Sequence, residues 1–431
     1  MVPEQRNNVG EMVSALSSGR MTRRTFLERA GALGLSASAA AAFLAACGEP
    51  AGSTSSGPIT LTLWDYFNPP GDGYLSIISD YMKANPSIKI QRTVIPFADL
   101  KQKLIQGAAS KQLPDIAVID NPDHSAFADL GVLADITSQV TAWGQADQYF
   151  PGPWNSTVWK GKNYGIPNNS NCLALYYNKD LFQKAGLKPP TTWDEMHSAA
   201  TALTKNGVYG LSMSLVKSEE GTFQFLSFLW EAGADLNTID SAAGVSALQY
   251  LVTFVKEGLL SSECLNWIQQ DAITQFIAGK AAMCINGPWN LPVTQQGAKF
   301  SWGVVPLPKG KQSASILGGE NWAITVTSPH IKEAWDFISW TQLPAQMKAY
   351  ILKDQRLPSR KDLATDPAIR QDPNLSVFVD SFAFAKPRAY GPNYPKISNA
   401  IQQAFQSAIS GQTSAENALK QAAVTIKPLM A

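Results

Sequence analysis

Two carboxylates and a large number of tryptophans are the features of this chain that could do chemistry. Asp120 ends the apolar run Ile116–Ile119, and Glu320 follows Gly318-Gly319. A carboxylate at the end of a buried parallel strand faces a cleft, where it can accept hydrogen bonds from two hydroxyl groups. The chain also has 12 tryptophans, and a flat apolar ring with one polar edge suits the face of a sugar ring. These residue types favour a binding site for a small, hydroxyl-rich molecule.

Paired carboxylates also occur in secreted glycan hydrolases, where one is the acid and the other the nucleophile or base. Asp120 and Glu320 are the residues that would form such a pair. The sequence has no GxSxG, HExxH or P-loop motif, which removes other common enzyme classes. Its three histidines, His124, His197 and His330, are scattered in polar surroundings. We therefore expect no metal site and no cofactor.

Length, charge and cysteine content narrow the class of protein further. The chain has 431 residues and a formal net charge of +1 at pH 7. A nearly neutral chain argues against nucleic acid as a partner. After Cys47 there are three cysteines, Cys172, Cys264 and Cys284, so at most one disulfide can form. The chain from Cys47 onward is too long for one compact core, and its length suits two domains.

Residues 1–46 are typical of an export signal, which is removed from the mature protein. Arg23 and Arg24 shortly precede Phe-Leu, a pattern that resembles the twin-arginine signal, although Glu28 stands where a basic residue is usual. The apolar run Ala30–Ala46 is about 17 residues long. It is rich in alanine, which favours a signal over a permanent membrane helix.

The segment Leu44-Ala45-Ala46-Cys47 resembles the lipobox of bacterial lipoproteins, in which the cysteine sulfur carries a diacylglycerol. The alternative is that Cys47 is an ordinary small apolar residue. Residues 47–58 are rich in Gly, Ser, Thr and Pro. Such a segment cannot bury enough apolar area to become ordered, so we expect a flexible tether. The resemblance implies an exported protein that a lipid anchors to the outer face of the cytoplasmic membrane.

Apolar periodicity predicts strands that alternate with helices after the tether. This order implies βαβ units and a mainly parallel sheet. The first predicted elements are strand 59–64, helix 73–84, strand 88–93, helix 98–111 and strand 116–119. Farther on, the pattern predicts helices within 173–297, one of them capped by Thr192 and Glu195, strands 281–285, 302–305 and 322–326, and helices 331–341, 397–408 and 414–426.

Short segments spread over the whole mature chain resemble one family. They are Leu61–Trp64, Pro114–Asp120, Tyr164–Pro167, Leu175–Phe182, Thr192–Glu195, Gly279–Met283, Asn286–Trp289, Gly318-Gly319 with Trp322, Ala334–Phe337, Leu357–Ser359 and Gly411 with Ala418-Leu419. In this order and spacing, the segments resemble the extracellular solute-binding proteins of ABC importers. They are most similar to the sugar-binding branch that includes the maltodextrin-binding proteins.

The resemblance implies an α/β fold of two lobes with a ligand cleft between them, the class II periplasmic-binding-protein fold. It implies that one lobe takes residues 59–166 and 313–355, and the other takes 167–312 and 356–431, with the first crossing near Tyr164–Pro167. The family works by hinge closure, because contacts from both lobes exist only in the closed form. The implied partners are a small carbohydrate and the permease subunits of an ABC importer. The implied protein is a monomer without enzymatic activity.

The candidate ligand-binding residues come from both the residue types and the family resemblance. Trp289 follows Asn286-Gly287-Pro288, where the family has a sugar-stacking aromatic residue. Gly319 has no Cβ, so the backbone there could approach a ligand. Asn171 stands where maltodextrin-binding proteins have an acidic contact, which leaves the sugar itself open. The remaining candidates are Asp120, Glu320, Trp322, Tyr66, Phe67, Asn68, Asn168, Phe223, Trp230, Tyr390, Tyr394 and Arg356.

An alternative keeps the fold and changes the solute to a glycerol phosphodiester or another polyol phosphate. A phosphate would need basic side chains that point into the cleft. Arg356, Arg360 and Arg388 are the residues that could supply them.

Overall fold

The computed structural model describes residues 58–67 and 72–430. Four of the predicted functional residues, Arg23, Arg24, Cys47 and Asn68, lie outside these ranges. Within the described residues, none of the helices combines the length and the apolar character that crossing a bilayer requires.

The strands form two sheets and a small hairpin. They are β1 (Ile59–Asp65), β2 (Ile88–Val94), β3 (Ile116–Asp120), β4 (Val158–Trp159), β5 (Lys162–Asn163), β6 (Ile166–Asn171), β7 (Ala174–Asn178), β8 (Tyr209–Ser212), β9 (Ala281–Asn286), β10 (Trp302–Val305), β11 (Ser315–Ile324) and β12 (Ala385–Pro387). The first sheet has the order β12-β11-β3-β1-β2, with β6 on β11, and the second has the order β10-β7-β9-β8.

The α-helices cover the faces of these sheets. They are α1 (Gly73–Ala84), α2 (Phe97–Ser110), α3 (Asn121–Asp129), α4 (Thr137–Trp143), α5 (Pro151–Asn155), α6 (Lys179–Lys184), α7 (Trp193–Leu203), α8 (Glu219–Glu231), α9 (Ala242–Lys256), α10 (Gln269–Ile277), α11 (Leu291–Gly297), α12 (Ile331–Thr341), α13 (Pro344–Asp354), α14 (Lys361–Ala364), α15 (Pro367–Arg370), α16 (Pro373–Ser381), α17 (Tyr394–Ile409) and α18 (Ala415–Leu429).

The predicted βαβ start of the chain is confirmed. The bounds of β1, α1, β2, α2 and β3 agree with the predicted ones to within one residue. The pairings of β1 with β2 and of β1 with β3 are parallel, as the alternation of elements predicts. The prediction succeeds here because β1, α1, β2 and α2 have periodic apolar positions and β3 is a short, continuous and buried apolar run.

The remaining pairings are mixed, so the expectation of a mainly parallel sheet holds only in part. β8 with β9 and β11 with β12 are parallel, but other pairs are antiparallel. β11 runs antiparallel to β3 and to β6, and in the second sheet β7 runs antiparallel to β9 and to β10. The prediction of a strand over 322–326 is wrong at its start, because β11 begins at Ser315. Its first residues lack alternation since the whole strand is buried.

The polar run Asn168–Asn171 lies in a strand, although its composition does not predict one. It belongs to β6, and all residues of this strand are buried. Distant side chains bind part of its polar groups: Asn169 Nδ2 donates to Tyr350 Oη over 3.0 Å, and Ser170 and Ser359 share a hydroxyl hydrogen bond of 2.9 Å. The side-chain oxygens of Asn169 and Asn171 have no partner among the described residues. Because β6 still pairs in the first sheet, the chain enters the second sheet only at β7, later than the crossing expected near 164–167.

Buried apolar side chains form separate clusters around the two sheets. One lies between the second sheet and α8, α9, α17 and α18, with Trp230 and Phe405 as members. Another fills one face of the first sheet beneath α1, α12 and α13, with Trp322 and Phe337 among its members. A third lies between the other face of that sheet and α2 and α3. The second cluster also includes Tyr176 and Cys284 of the second sheet, so it packs against both sheets.

Candidate functional site

A cavity of about 750 Å³ lies between the first sheet and the helices and turn that pack on the second. This volume is in the usual range for sites that bind small molecules. The side chains around it are aromatic, amide and ionisable, with few aliphatic ones. The predicted ligand contacts that line it are Tyr66, Phe67, Asp120, Asn171, Phe223, Trp289, Glu320 and Arg356.

Strand register brings the two carboxylates predicted from the sequence to this cavity. Asp120 is the last residue of β3, and its cross-strand partner in β11 is Glu320. Glu320 also pairs with Asn169 of β6. Directly opposite residues of an antiparallel pair lie close together, so both carboxyl groups reach the same end of the first sheet.

Arg388, which directly follows β12, binds two of the acidic side chains of the cavity. Its Nη1 and Nη2 donate to the two carboxylate oxygens of Asp120 over 3.1 and 2.9 Å. Nη1 also donates to Glu219 Oε1 over 2.5 Å. Burial raises the pKa of Asp120, and the guanidinium of Arg388 opposes that rise. Since Asp120 lies in the first sheet and Glu219 in α8, which packs on the second, Arg388 links the two walls of the cavity.

The second acidic group, Glu320, has one oxygen bound and one free. Tyr66 Oη donates to Glu320 Oε1 over 2.9 Å. The other oxygen is buried and has no hydrogen-bond partner among the described residues. Burial raises the pKa of the Tyr66 phenol, and the carboxylate of Glu320 adds to the rise. Tyr66 therefore remains a hydrogen-bond donor that holds the Glu320 carboxylate at the cavity wall.

Aromatic rings form the other part of the wall. Trp289 lies in a short 3-10 turn, Pro288–Asn290, directly after β9 and Gly287. A Cβ atom on Gly287 would lie 1.9 Å from the Trp289 ring, so the ring packs on the bare backbone of that glycine. Phe223 lies beside it at a tilt of 55°, with 6.3 Å between ring centroids. Trp289 is only partly buried, and it lines the cavity.

Arg356 lies against two of these rings. Its guanidinium carbon is 4.6 Å from the centroid of Phe67 and 5.8 Å from that of Trp289. Such cation–π contacts stabilise a charge that is withdrawn from water. The side chain is 8% exposed, and its Nε has no hydrogen-bond partner among the described residues.

Six predicted contacts do not line the cavity, and the structure corrects their expected positions. Trp322 is 1% exposed and stacks on Tyr74 in the core, with ring centroids 5.3 Å apart. Trp230 is fully buried, and its Nε1 donates to Asp235 over 3.2 Å. Tyr390 donates to the same carboxylate over 2.6 Å. Alternation along a strand or helix cannot separate a core face from a cavity face when both are buried.

The other three make their contacts outside the cavity. Tyr394 Oη donates to Glu219 Oε1 over 2.5 Å, behind the cavity wall. Asn168 donates its side-chain amide to the hydroxyl of Tyr74. Gly319 has φ +135°, and a Cβ there would lie 2.3 Å from the carbonyl oxygen of Asn169. Its missing side chain therefore permits close approach of β6, where a close approach of ligand had been predicted.

The sequence did not single out some of the residues that line the cavity. They include Glu219, Glu220, Gln269, Asn290 and Phe97, and also Arg388, which had been considered only for a phosphate ligand. Glu219 had a local signal, because Ser218 is an N-cap residue that accepts from the backbone of Glu220. The described residues hold no cluster of His, Cys, Asp and Glu that could bind a metal ion.

Comparisons with known proteins agree with this geometry. Residues 76–377 match the family model described as bacterial extracellular solute-binding protein. The multiple sugar-binding protein of Streptococcus mutans is 28% identical over 342 residues, which cover 71% of this chain and 77% of that protein.

Solved structures of solute-binding proteins have a similar fold. An ABC transporter solute-binding protein of Thermotoga lettingae, bound to α-D-tagatose, has a TM-score of 0.80 and 27% identity, covering 86% of this chain and 100% of that one. The maltose-bound MalE3 protein of T. maritima has a TM-score of 0.78 and 26% identity, covering 86% of this chain and 99% of that one. These likenesses confirm the predicted α/β fold of two lobes with a cleft between them.

Proposed function

The chain belongs to the bacterial extracellular solute-binding proteins, and from this premise we propose that it is the substrate-binding component of an ABC-type carbohydrate importer. The observation that carries the proposal is the cavity itself, where Trp289 and Phe223 face the same space as Asp120, Glu320 and Asn171. Aromatic rings can stack on the apolar faces of a sugar. Carboxylates and amides can bind its hydroxyl groups.

The mechanism we propose is closure of the two lobes on a mono- or oligosaccharide, followed by delivery to the membrane permease. The lobes would comprise residues 59–166 and 313–355, and residues 167–312 and 356–431, with β6 and β12 added to the first sheet by their pairing. Contacts such as Tyr66 from one wall and Trp289 from the other support this, because a ligand that touches both walls favours the closed form. The protein would act as a monomer without a catalytic step.

Thermal unfolding with a panel of solutes tests this function. We expect a neutral sugar among tagatose, maltose, mannobiose and galacto-oligosaccharides to raise the melting temperature, because a ligand that binds only the folded state stabilises it by about 2.7 kcal/mol at 100 times its Kd. Scanning calorimetry would measure the shift. Glycerophosphocholine serves as the glycerol phosphodiester in the panel. A response to that compound and to none of the sugars would contradict the proposal.

The glycerol phosphodiester remains in the panel because Arg356 is a buried cation without an ion pair to a described residue. Arg360 and Arg388 favour the phosphate less. Arg360 pairs with Asp362 over 2.8 Å and does not line the cavity. Arg388 is already neutralised by Asp120 and Glu219.

We further propose that Cys47 carries a lipid and that Arg23 and Arg24 direct export, as the sequence pattern predicts. Expression of a Cys47→Ala variant in a bacterial host, with membrane fractionation of both forms, tests this. The unaltered chain is expected in the membrane fraction, because acyl chains partition into the bilayer, and the variant in the soluble exported fraction. Equal amounts of both forms in the membrane fraction would contradict a lipid at this cysteine.

A further inference from the structure

Arg356 and Glu320 line the same cavity without forming an ion pair. Both are nearly buried, with 8% and 5% of their surfaces exposed. No carboxylate oxygen of the described residues lies within 4.0 Å of the Arg356 nitrogens. Burial opposes the positive charge of Arg356, and Glu320 is the carboxylate that does most to raise the pKa of its guanidinium. Both side chains line the cavity, and we call the space between them the gap.

The other carboxylates of the cavity have partners that occupy their oxygens. Asp120 and Glu219 bind Arg388, and Glu220 accepts from the backbone nitrogen of Gln269 over 2.5 Å. Glu320 and Arg356, by contrast, both keep unused hydrogen-bonding capacity: among the described residues Glu320 Oε2 accepts no hydrogen bond and Arg356 Nε donates none. A buried polar group without its partners is costly, so two such side chains that line one cavity indicate a place for a ligand.

The chemistry of the missing group follows from these two side chains. It must donate to a carboxylate and accept from a guanidinium, and a hydroxyl does both. An ionised carboxylate or phosphodiester only accepts. It would satisfy Arg356 but would place a negative charge beside Glu320, and like charges brought together out of water repel strongly.

We propose that a ligand hydroxyl bridges Glu320 and Arg356 and that this pair selects neutral sugars over sugars that carry a carboxylate or phosphate at that position. This inference rests on the proposed carbohydrate-binding function. The charge of the whole cavity acts in the same direction, since Asp120, Glu219, Glu220 and Glu320 outnumber Arg356 and Arg388. Arg356 is thus a hydrogen-bond donor to a neutral ligand, held in position by Phe67 and Trp289.

Titration calorimetry with matched sugars tests the proposal. The probes are the neutral sugars of the panel and their uronic acids, in which one CH₂OH group is oxidised to a carboxylate. The unaltered protein should bind at least one neutral sugar about tenfold or more tightly than its uronic acid, a difference of about 1.4 kcal/mol. The reason is the repulsion between the carboxylate of the uronic acid and that of Glu320. Glu320→Gln should reduce this preference by about tenfold or more, since the carboxamide is uncharged and can donate to an anion.

Glu220→Gln is the matched control, because it removes the same charge from the same cavity and leaves the gap unchanged. If Glu220→Gln reduces the preference as much as Glu320→Gln does, the overall charge is responsible and the proposed bridge is wrong. Arg356→Met removes the donor and should weaken the binding of both forms of each sugar. Equal or tighter binding of the uronic acids by the unaltered protein would also overturn the inference. The absence of any sugar binding would instead contradict the proposed function.

Discussion

Replacement of Arg388 by methionine is expected to lower the free energy of unfolding by about 3–5 kcal/mol, because it leaves buried charges without a partner. Arg388 is 4% exposed, and it binds Asp120 over 2.9 and 3.1 Å and Glu219 over 2.5 Å. Its guanidinium also covers the ring of Phe223 at 4.7 Å. Urea denaturation, followed by circular dichroism at neutral pH, would measure the loss.

A second arginine provides the control for this substitution. Arg370 pairs with Asp380 over 2.5 Å, but the two side chains are 36% and 65% exposed. Arg370→Met should therefore cost less than about 1 kcal/mol, as is usual for a pair in contact with water. Similar losses for the two variants would show that the Arg388 cluster is not a buried ionic network.

Neutralisation of the acidic partners separates the loss of charge balance from the loss of packing. When Asp120→Asn and Glu219→Gln are added to Arg388→Met, no unpaired charge is left in the cluster, and more than half of the lost stability should return. If the triple variant is no more stable than Arg388→Met alone, the main contribution of Arg388 is its contact with Phe223.

The elements that could be predicted from the sequence are those with a pattern visible over a few residues. The start of the chain has such patterns: periodic apolar positions in β1, α1, β2 and α2, and a short apolar run in β3. The predicted bounds of these elements are correct to one residue. The position of Asp120 at a strand end also brought it to the cavity, because side chains at the carboxyl end of a parallel strand reach the cleft.

Elements that depend on distant partners could not be predicted in this way. Asn169 and Ser170 lie in a buried strand where Tyr350 and Ser359, which are far away in sequence, supply hydrogen bonds to them. Arg388 reaches Asp120 only because β12 pairs with β11, and neither its neighbours nor its spacing indicates this. The ionic contacts between the charged residues of the candidate site therefore depend on the tertiary fold, although Asp120 itself was predicted.

Sequence pattern also could not tell the cavity residue Trp289 from the core residue Trp322. Their substitutions should affect different properties, ligand affinity for Trp289 and stability for Trp322. Trp289→Ala is expected to weaken the binding of the neutral sugar that the panel identifies by about 1–3 kcal/mol, because a ring that stacks on the sugar is lost. Titration calorimetry would measure the change. Trp289→Phe should retain part of the affinity, since a ring remains. Unchanged affinity in a folded Trp289→Ala variant would remove this residue from the site.

Trp322→Ala is the matched comparison, because Trp322 was expected from sequence to bind the same ligand. Its ring contacts Tyr74 and Phe337 in the core, so its removal should lower the free energy of unfolding by about 3–5 kcal/mol. The affinity of the protein that remains folded should change little. If both variants lose affinity equally, then Trp322 supports the cavity through Tyr74 and Phe67, whose rings are in contact 4.8 Å apart. The pair of measurements thus separates a ring that binds ligand from a ring that holds the first sheet together.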